Sequence, residues 1–160
     1  MRFLLTLVFL ALTLAAPLRA QLANLGPAPE FKLTTLDGKE VSAASLKGKV
    51  VVVDFWATWC GPCIAEIPGY VELQKKYGPQ GLVILGVSVD RGGVEKVRKF
   101  VEKHRMNYPV ALGDDALGEA FCGFDAIPTT FLIDRDGIIR HKKTGAMEHH
   151  EYEAIVKQLF

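Results

Sequence analysis

Apolar runs, amphipathic stretches and turn residues follow one another along this chain in a regular order. Residues 50–56 are β-branched and aromatic except for Asp54, a pattern typical of a strand covered on both faces. Residues 82–89 form a second such run, and residues 30–41 alternate around an Asp-Gly turn that predicts a hairpin. Helices are predicted over residues 61–77, 94–104, 116–121 and 149–160. Shorter strands are predicted over residues 108–112, 129–133 and 138–142.

This order of elements predicts an α/β sandwich around a mixed central sheet. The chain has 160 residues, a length that suits one domain with its own hydrophobic core. We assign the domain to residues 30–160 and the Pro- and Gly-containing residues 21–29 to a linker. On the helix over 61–77, we expect Ile64, Ile67, Val71 and Leu73 to be buried. On the helix over 94–104, we expect the same of Val94, Val97, Phe100 and Val101.

The first twenty residues have the organisation of a secretory signal peptide. Met1 and Arg2 supply a positive start, residues 3–16 are almost entirely apolar, and small and polar residues follow up to Ala20. The apolar run is shorter than the roughly 20 residues that span a membrane. We therefore predict a signal peptide over residues 1–20 and a periplasmic or otherwise extracytoplasmic location. An uncleaved membrane tether through residues 3–16 is the alternative.

The distribution of charge along the chain argues against a nucleic-acid partner. The chain has 19 basic and 18 acidic side chains, for a net charge of +1, and no cluster of Lys and Arg forms a stripe that could follow a nucleic-acid backbone. The four histidines are scattered along the sequence. We therefore predict neither nucleic-acid binding nor a metal site.

Two of the three cysteines carry the candidate chemistry. Cys60 and Cys63 open a predicted helix directly after a strand, and side chains three residues apart share a helix face, so the two sulfurs can form a disulfide. Free N–H groups at the helix start favour a thiolate at Cys60. Lowering a thiol pKa from about 8.5 to about 7 is worth roughly 2 kcal/mol. We predict that Cys60 attacks and that Cys63, one turn deeper, resolves.

The residues around this pair have predicted supporting roles. Gly61 leaves the Cys60 sulfur accessible, and Pro62 fits the first helical turn, where its missing N–H costs nothing. The third cysteine, Cys122, is interpreted as a buried free thiol. A redox-sensitive or intermolecular thiol is the alternative for Cys122 in an exported chain.

Two sequence blocks carry a family resemblance. They are VVVDFWATWCGPC, which ends at Cys63, and IPTTFLID over residues 127–134. Together they resemble the thioredoxin superfamily, and more closely its exported TlpA/ResA-like thiol–disulfide oxidoreductases, from about Pro27 to the C-terminus. The resemblance implies a thioredoxin-like three-layer sandwich, a mixed sheet with flanking helices and an N-terminal β-hairpin. It also implies disulfide-bearing client proteins, a membrane thiol electron donor, and no cofactor beyond a redox-active Cys60–Cys63 disulfide.

The resemblance assigns roles residue by residue. Pro128 matches a cis-proline that faces the disulfide, and the backbone of Ile127 would pair with an extended client segment. Asp54 matches an acid that shuttles a proton for the resolving cysteine; a strand-end carboxylate facing water is the alternative. Glu66 partly matches C-x-x-C-x-x-E-x-P, in which the glutamate tunes the dithiol; a solvated helix glutamate is the alternative. Trp59 would shape the client-docking surface together with Gly61 and Pro62, unless it fills the core.

The favoured function is reduction of disulfides in exported clients, for example during cytochrome c maturation. A disulfide oxidant or isomerase on the same scaffold is the alternative, because it differs only in thiolate stability. A copper or other metal carrier is less favoured, since only two cysteines cluster and zinc prefers four N or S ligands. A peroxiredoxin is rejected, because its motif requires Pro and Thr or Ser where this chain has Val53 and Ala57.

Overall fold

A computed structural model describes residues 22–121, 123 and 125–160. The predicted signal peptide and Cys122 lie outside these residues. None of the helices in the described part of the chain is both long enough and apolar enough to cross a membrane.

The central sheet has five strands and mixed polarity. Its order is β5-β4-β3-β6-β7, with β3 parallel to β4, β4 parallel to β5, β6 antiparallel to β3, and β7 antiparallel to β6. The strands of this sheet are β3 (Val50–Trp56), β4 (Leu82–Ser88), β5 (Val110–Leu112), β6 (Thr129–Ile133) and β7 (Ile139–Thr144). A separate antiparallel hairpin joins β1 (Lys32–Thr34) to β2 (Glu40–Ser42). The helices are α1 (Gly61–Tyr77), α2 (Val94–Lys103), α3 (Asp115–Ala120) and α4 (His149–Leu159).

Alternate side chains of β3 divide the core into two halves. Val50, Val52 and Trp56 face a cluster formed with α1, α2 and α4. Val51 and Val53 face the opposite cluster, which includes residues of β2 and α3. A strand that packs on both faces needs a continuous apolar run, and Asp54 is the exception on the α1 face. The predicted three-layer sandwich with a mixed sheet and an N-terminal hairpin is confirmed.

The buried helix faces differ from those expected. On α1, Ile64 and Val71 are half-buried, and the helix buries Glu66 together with Cys63, Ile67, Tyr70, Leu73 and Tyr77. Glu66 and the tyrosines take positions on the stripe that faces the sheet, so apolar character alone did not identify that face. On α2, Val94 is 40% exposed because it is the first helical residue, and only Val97 is fully buried.

Part of the segment assigned to a linker is hydrogen-bonded to the sheet. The Leu25 N–H donates to the Ile139 carbonyl at 3.0 Å, the Ile139 N–H donates to Gly26 at 2.9 Å, and the Ala28 N–H donates to Gly137 at 2.8 Å. This pairing covers the outer edge of β7 where that strand begins, and an exposed strand edge is a site for unwanted pairing between chains.

Candidate active site

The two cysteines are presented at the point where β3 passes into α1. Cys60 is the N-cap residue of α1, and its sulfur is bonded to that of Cys63 at 2.06 Å. The Cys63 N–H points at the Cys60 sulfur across 3.3 Å. When the pair is reduced, this N–H and the helix dipole stabilise negative charge on Cys60.

The surface around the disulfide is open on one side. Cys60 is 5% exposed and Cys63 only 1%, while Gly61 and Pro62 are exposed. A side chain at Gly61 would meet no atom within 4 Å, so the space beside Cys60 is free. Trp59 is 66% exposed, which is incompatible with a core position.

A turn before β6 lies against the disulfide. The Ile127–Pro128 peptide bond is cis, and the Ile127 carbonyl oxygen lies 3.7 Å from the Cys60 sulfur. The turn is held by the Thr129 hydroxyl, which donates to the Ala126 carbonyl at 2.7 Å. The structure therefore brings Ile127 and Pro128 to the cysteine pair.

Asp54 is buried on the α1 side of the sheet. It is 4% exposed, and the strand register places it between Gly86 of β4 and Thr130 of β6. The Thr130 hydroxyl donates to Asp54 Oδ1 at 3.2 Å. Burial and the nearby Glu66 raise the pKa of Asp54, the Thr130 hydrogen bond lowers it, and the net result is a pKa of about 8. A position facing water is excluded, and the group can exchange a proton near neutral pH.

Glu66 is a second buried carboxyl group on the same side. It lies one helical turn after Cys63, is 7% exposed, and accepts a hydrogen bond from the Met147 N–H at 2.8 Å. Burial raises its pKa, while the Met147 N–H, Tyr152 and Lys143 lower it. It is not a solvated helix glutamate.

The Thr130 hydroxyl links Asp54 to two tyrosines, and the sequence did not predict this cluster. Thr130 Oγ1 lies 3.2 Å from the Tyr70 hydroxyl and accepts a hydrogen bond from Tyr152 at 3.0 Å. The cluster therefore joins α1, α4 and β6 at Asp54. The signal available in the sequence was the position of Tyr70 one turn beyond Glu66 on the buried stripe of α1.

Asp90, just after β4, was also missed. Its carboxylate accepts from the Thr58 N–H at 2.8 Å and from the Thr58 hydroxyl at 2.6 Å. Ser88 and Lys96 donate to it as well, at 3.0 and 2.9 Å. Burial alone would raise the pKa of Asp90, but these hydrogen bonds hold it below its usual value. Asp90 thus fixes the loop that carries Trp59 and Cys60.

A surface groove lies next to Trp59. Its volume is about 640 Å³, and its lining includes Trp59, Arg91, Asp115 and Glu119. Arg91 and Asp115 form an exposed ion pair at 3.1 Å within it. The groove shares the exposed Trp59 with the surface next to the cysteine pair.

Known proteins share this architecture. Residues 26–142 match the AhpC/TSA family. The thiol–disulfide oxidoreductase ResA of Bacillus thuringiensis (strain Al Hakam) is 36% identical over 134 residues, which cover 82% of this chain and 76% of that protein. The thioredoxin-like protein YneN of Bacillus subtilis (strain 168) is 32% identical over 79% of this chain and 74% of its own length. A thiol:disulfide interchange protein of the thioredoxin family from Chlorobium tepidum TLS superposes with a TM-score of 0.79 at 37% identity, covering 86% of this chain and 97% of that one.

The fold, the paired cysteines and these relatives define a thiol–disulfide oxidoreductase with a thioredoxin-like fold. The chain belongs to the AhpC/TSA family. Within that family it has Val53 and Ala57 where the peroxiredoxin motif requires Pro and Thr or Ser.

The Thr58–Asp90 contact generates a prediction about Cys60. Thr58→Val removes one hydrogen bond without changing charge, so we expect a stability loss of about 1–2 kcal/mol. Because the loop before the helix loosens, reduced Cys60 should also react more slowly with iodoacetamide at pH 7. Thr58→Ser keeps the hydroxyl and should restore both properties. A Thr58→Val protein that is less stable but alkylates at the wild-type rate would show that the contact does not position the cysteine.

Burial of Asp54 generates a prediction about stability and pH. Its folded pKa of about 8 lies above the unfolded value near 3.8, so the unfolded chain ionises first and stability falls as pH rises between these values. Asp54→Asn should therefore stabilise the oxidised protein by an amount that grows over this range, up to roughly 6 kcal/mol, measured by denaturant unfolding.

Asp134 is the matched control for this measurement. Its carboxylate accepts hydrogen bonds from the Asp136 and Ile138 N–H groups at 3.0 and 2.9 Å. Although burial opposes the shift, these bonds and Arg140 lower its pKa, so Asp134→Asn should destabilise the protein at neutral pH. If Asp54→Asn increased the free energy of unfolding by the same amount at every pH, the result would contradict a buried Asp54 with a raised pKa.

Proposed function

We propose that this protein reduces disulfides in exported client proteins through a dithiol–disulfide cycle of Cys60 and Cys63. The observation that carries the proposal is the position of Cys60 at the start of α1, bonded to Cys63, with a buried acid of raised pKa on the α1 side of the sheet. Relatives named as thiol–disulfide oxidoreductases support the same chemistry. The pair itself carries the electrons, and the cycle uses no other cofactor.

The first step is attack by Cys60. Its thiolate forms a bond with one sulfur of the client disulfide, and the client sulfur–sulfur bond breaks. The second client sulfur leaves as a thiolate and takes a proton from water. The Cys63 N–H, 3.3 Å from the Cys60 sulfur in the oxidised state, stabilises the attacking thiolate because it points at the charge.

The second step is resolution by Cys63. The Cys63 thiol gives its proton to the Asp54 carboxylate, and the resulting thiolate attacks the Cys60 sulfur. The Cys60–Cys63 bond forms, the mixed disulfide breaks, and the client leaves with both of its sulfurs reduced. Two electrons have then passed to the client, and a membrane thiol donor returns two electrons to the pair. Glu66 tunes this step because its charge acts on Asp54.

The client docks on the open side of the disulfide. The exposed Trp59, Gly61 and Pro62 form the contact surface, and an extended client segment pairs with the backbone at Ile127, next to cis-Pro128. Backbone pairing of this kind accepts many sequences, because main-chain groups supply the hydrogen bonds. This arrangement suits an enzyme with several clients.

The direction of electron flow rests on the residues between the cysteines. Gly-Pro is the dipeptide of thioredoxin, whose potential of about −270 mV lies about 150 mV below that of the strong periplasmic oxidant DsbA. At about 1.4 kcal/mol for each 30 mV, that gap is about 7 kcal/mol in favour of reduction. A measured potential above about −180 mV would favour the oxidant or isomerase alternative instead.

The proposed location and client follow from the N-terminal pattern and the ResA-like resemblance. From the signal peptide predicted over residues 1–20 we infer an enzyme outside the cytoplasm, with the signal either cleaved or retained as a tether through residues 3–16. Apocytochrome c is the client we propose, since its haem-binding cysteines must be reduced before haem is attached.

The cycle predicts a trapped intermediate. Cys63→Ser removes the resolving thiol, so a mixed disulfide with a client should persist on Cys60 and be visible by non-reducing electrophoresis and mass spectrometry. Cys60→Ser is the matched control; it retains Cys122 and Cys63, and it should not accumulate the adduct. If Cys63→Ser captures no disulfide substrate, or if Cys60→Ser captures equally well, the assigned roles are wrong.

A further inference from the structure

The proposed cycle requires Asp54 to exchange a proton with water, yet its side chain is sealed inside the protein. Asp54 is 4% exposed, and with a pKa of about 8 it is mostly protonated at pH 7. It must therefore lose a proton before it can accept one from Cys63. A direct path through the apolar core would leave a proton without a partner, which is costly.

Asp54 is hydrogen-bonded to the Thr130 hydroxyl. This hydroxyl donates to Asp54 Oδ1 at 3.2 Å and accepts from the Tyr152 hydroxyl at 3.0 Å. A hydroxyl has one proton and two acceptor lone pairs, so it can take a proton on one side while giving one up on the other. The two bonds run head to tail, from Tyr152 through Thr130 to Asp54.

The far end of this chain of hydroxyls opens into a polar cavity between α1 and α4. The cavity has a volume of about 160 Å³, and its lining includes Glu66, Tyr70, His149 and Tyr152. Two buried polar atoms in its walls, Glu66 Oε2 and His149 Nδ1, have no hydrogen-bond partner among the described residues. Buried polar atoms of this kind are normally satisfied by water, and each water occupies about 30 Å³.

We propose that Tyr152 and Thr130 form a proton relay between this cavity and Asp54, with Glu66 as the group that exchanges protons with cavity water. The relay rests on the proposed function of Asp54. In the observed arrangement an incoming proton passes from Glu66 to Tyr152, as Tyr152 passes its own proton to Thr130 and Thr130 passes its own to Asp54. Both hydroxyls end neutral with their hydrogen bonds reversed. From that reversed arrangement an outgoing proton follows the same atoms backwards to the Glu66 carboxylate, which releases it to water.

The charges around the relay favour a concerted transfer. Burial raises the pKa of Tyr152, and the Asp54 and Glu66 carboxyl groups raise it further while its hydrogen bonds oppose them. A tyrosinate intermediate is therefore disfavoured, and each hydroxyl must give and take a proton together. Tyr108, whose pKa is raised by burial, faces the same carboxyl groups. Lys143 is the cation whose charge acts on Glu66.

Tyr70 provides the comparison that separates a relay from general packing. Its hydroxyl lies 3.2 Å from the same Thr130 oxygen, and it also lines the cavity. Tyr152 differs because its hydroxyl donates to Thr130 and also lowers the pKa of Glu66. Both Tyr152 and Glu66 line the cavity, and Glu66 Oε2 has no hydrogen-bond partner among the described residues. We therefore place the relay through Tyr152.

The test follows Asp54 directly and does not depend on turnover. Oxidised protein is moved by stopped flow from pH 6 to pH 9, and loss of the Asp54 carboxylic-acid band is recorded by infrared spectroscopy. Asp54→Asn identifies the band. Tyr152→Phe should slow deprotonation at least ten-fold, while Tyr70→Phe should stay within about two-fold of wild type. Equal rates in the two phenylalanine variants, whether slow or fast, would overturn the relay.

Variants at Thr130 give an independent check. Thr130→Val should slow deprotonation of Asp54 at least as strongly as Tyr152→Phe, and Thr130→Ser should restore it because the hydroxyl is retained. A fast Thr130→Val protein would overturn the relay even if Tyr152→Phe perturbs folding. Failure of the proposed function would give a different result from failure of the relay. In that case Asp54→Asn would resolve a mixed disulfide at the wild-type rate.

Discussion

A carboxyl group buried in the central strand of the sheet is the constraint on which the rest of this structure depends. Asp54 interrupts the fully buried strand β3, and several kcal/mol of stability are lost at alkaline pH by keeping it there. The fold offsets the cost locally. The strand register places Gly86 on one side of Asp54 and supplies the Thr130 hydroxyl on the other.

The chemistry of the pair follows from where the sheet delivers each component. The end of β3 carries Cys60 to the start of α1, the turn before β6 brings Ile127 within 3.7 Å of its sulfur, and the loop after β4 fixes the approach through Asp90. The Cys60 sulfur therefore lies next to the exposed residues Trp59, Gly61 and Pro62. Cys63 is buried. These different surroundings support the different roles that we propose for the two cysteines.

The sequence predicted the elements that depend on local pattern and missed those that depend on register. The run over residues 50–56 and the helix over 61–77 have the predicted boundaries, because continuous apolar character and a proline in the first turn are local signals. The contact of Thr130 with Tyr152 joins β6 to α4, and the contact of Thr58 with Asp90 spans 32 residues. Such contacts exist only after the sheet has formed, so neither spacing nor composition could indicate them.

The central claim is tested most directly by measuring the pKa of Asp54. Carbon-13 NMR of the aspartate carboxyl carbons across pH 3 to 10, with Asp54→Asn to assign the signal, reports the group itself in the oxidised protein. The account predicts a midpoint close to 8. A midpoint near 4 would show a carboxylate that stays ionised at neutral pH, and it would contradict the proposed role of Asp54 as the proton acceptor for Cys63.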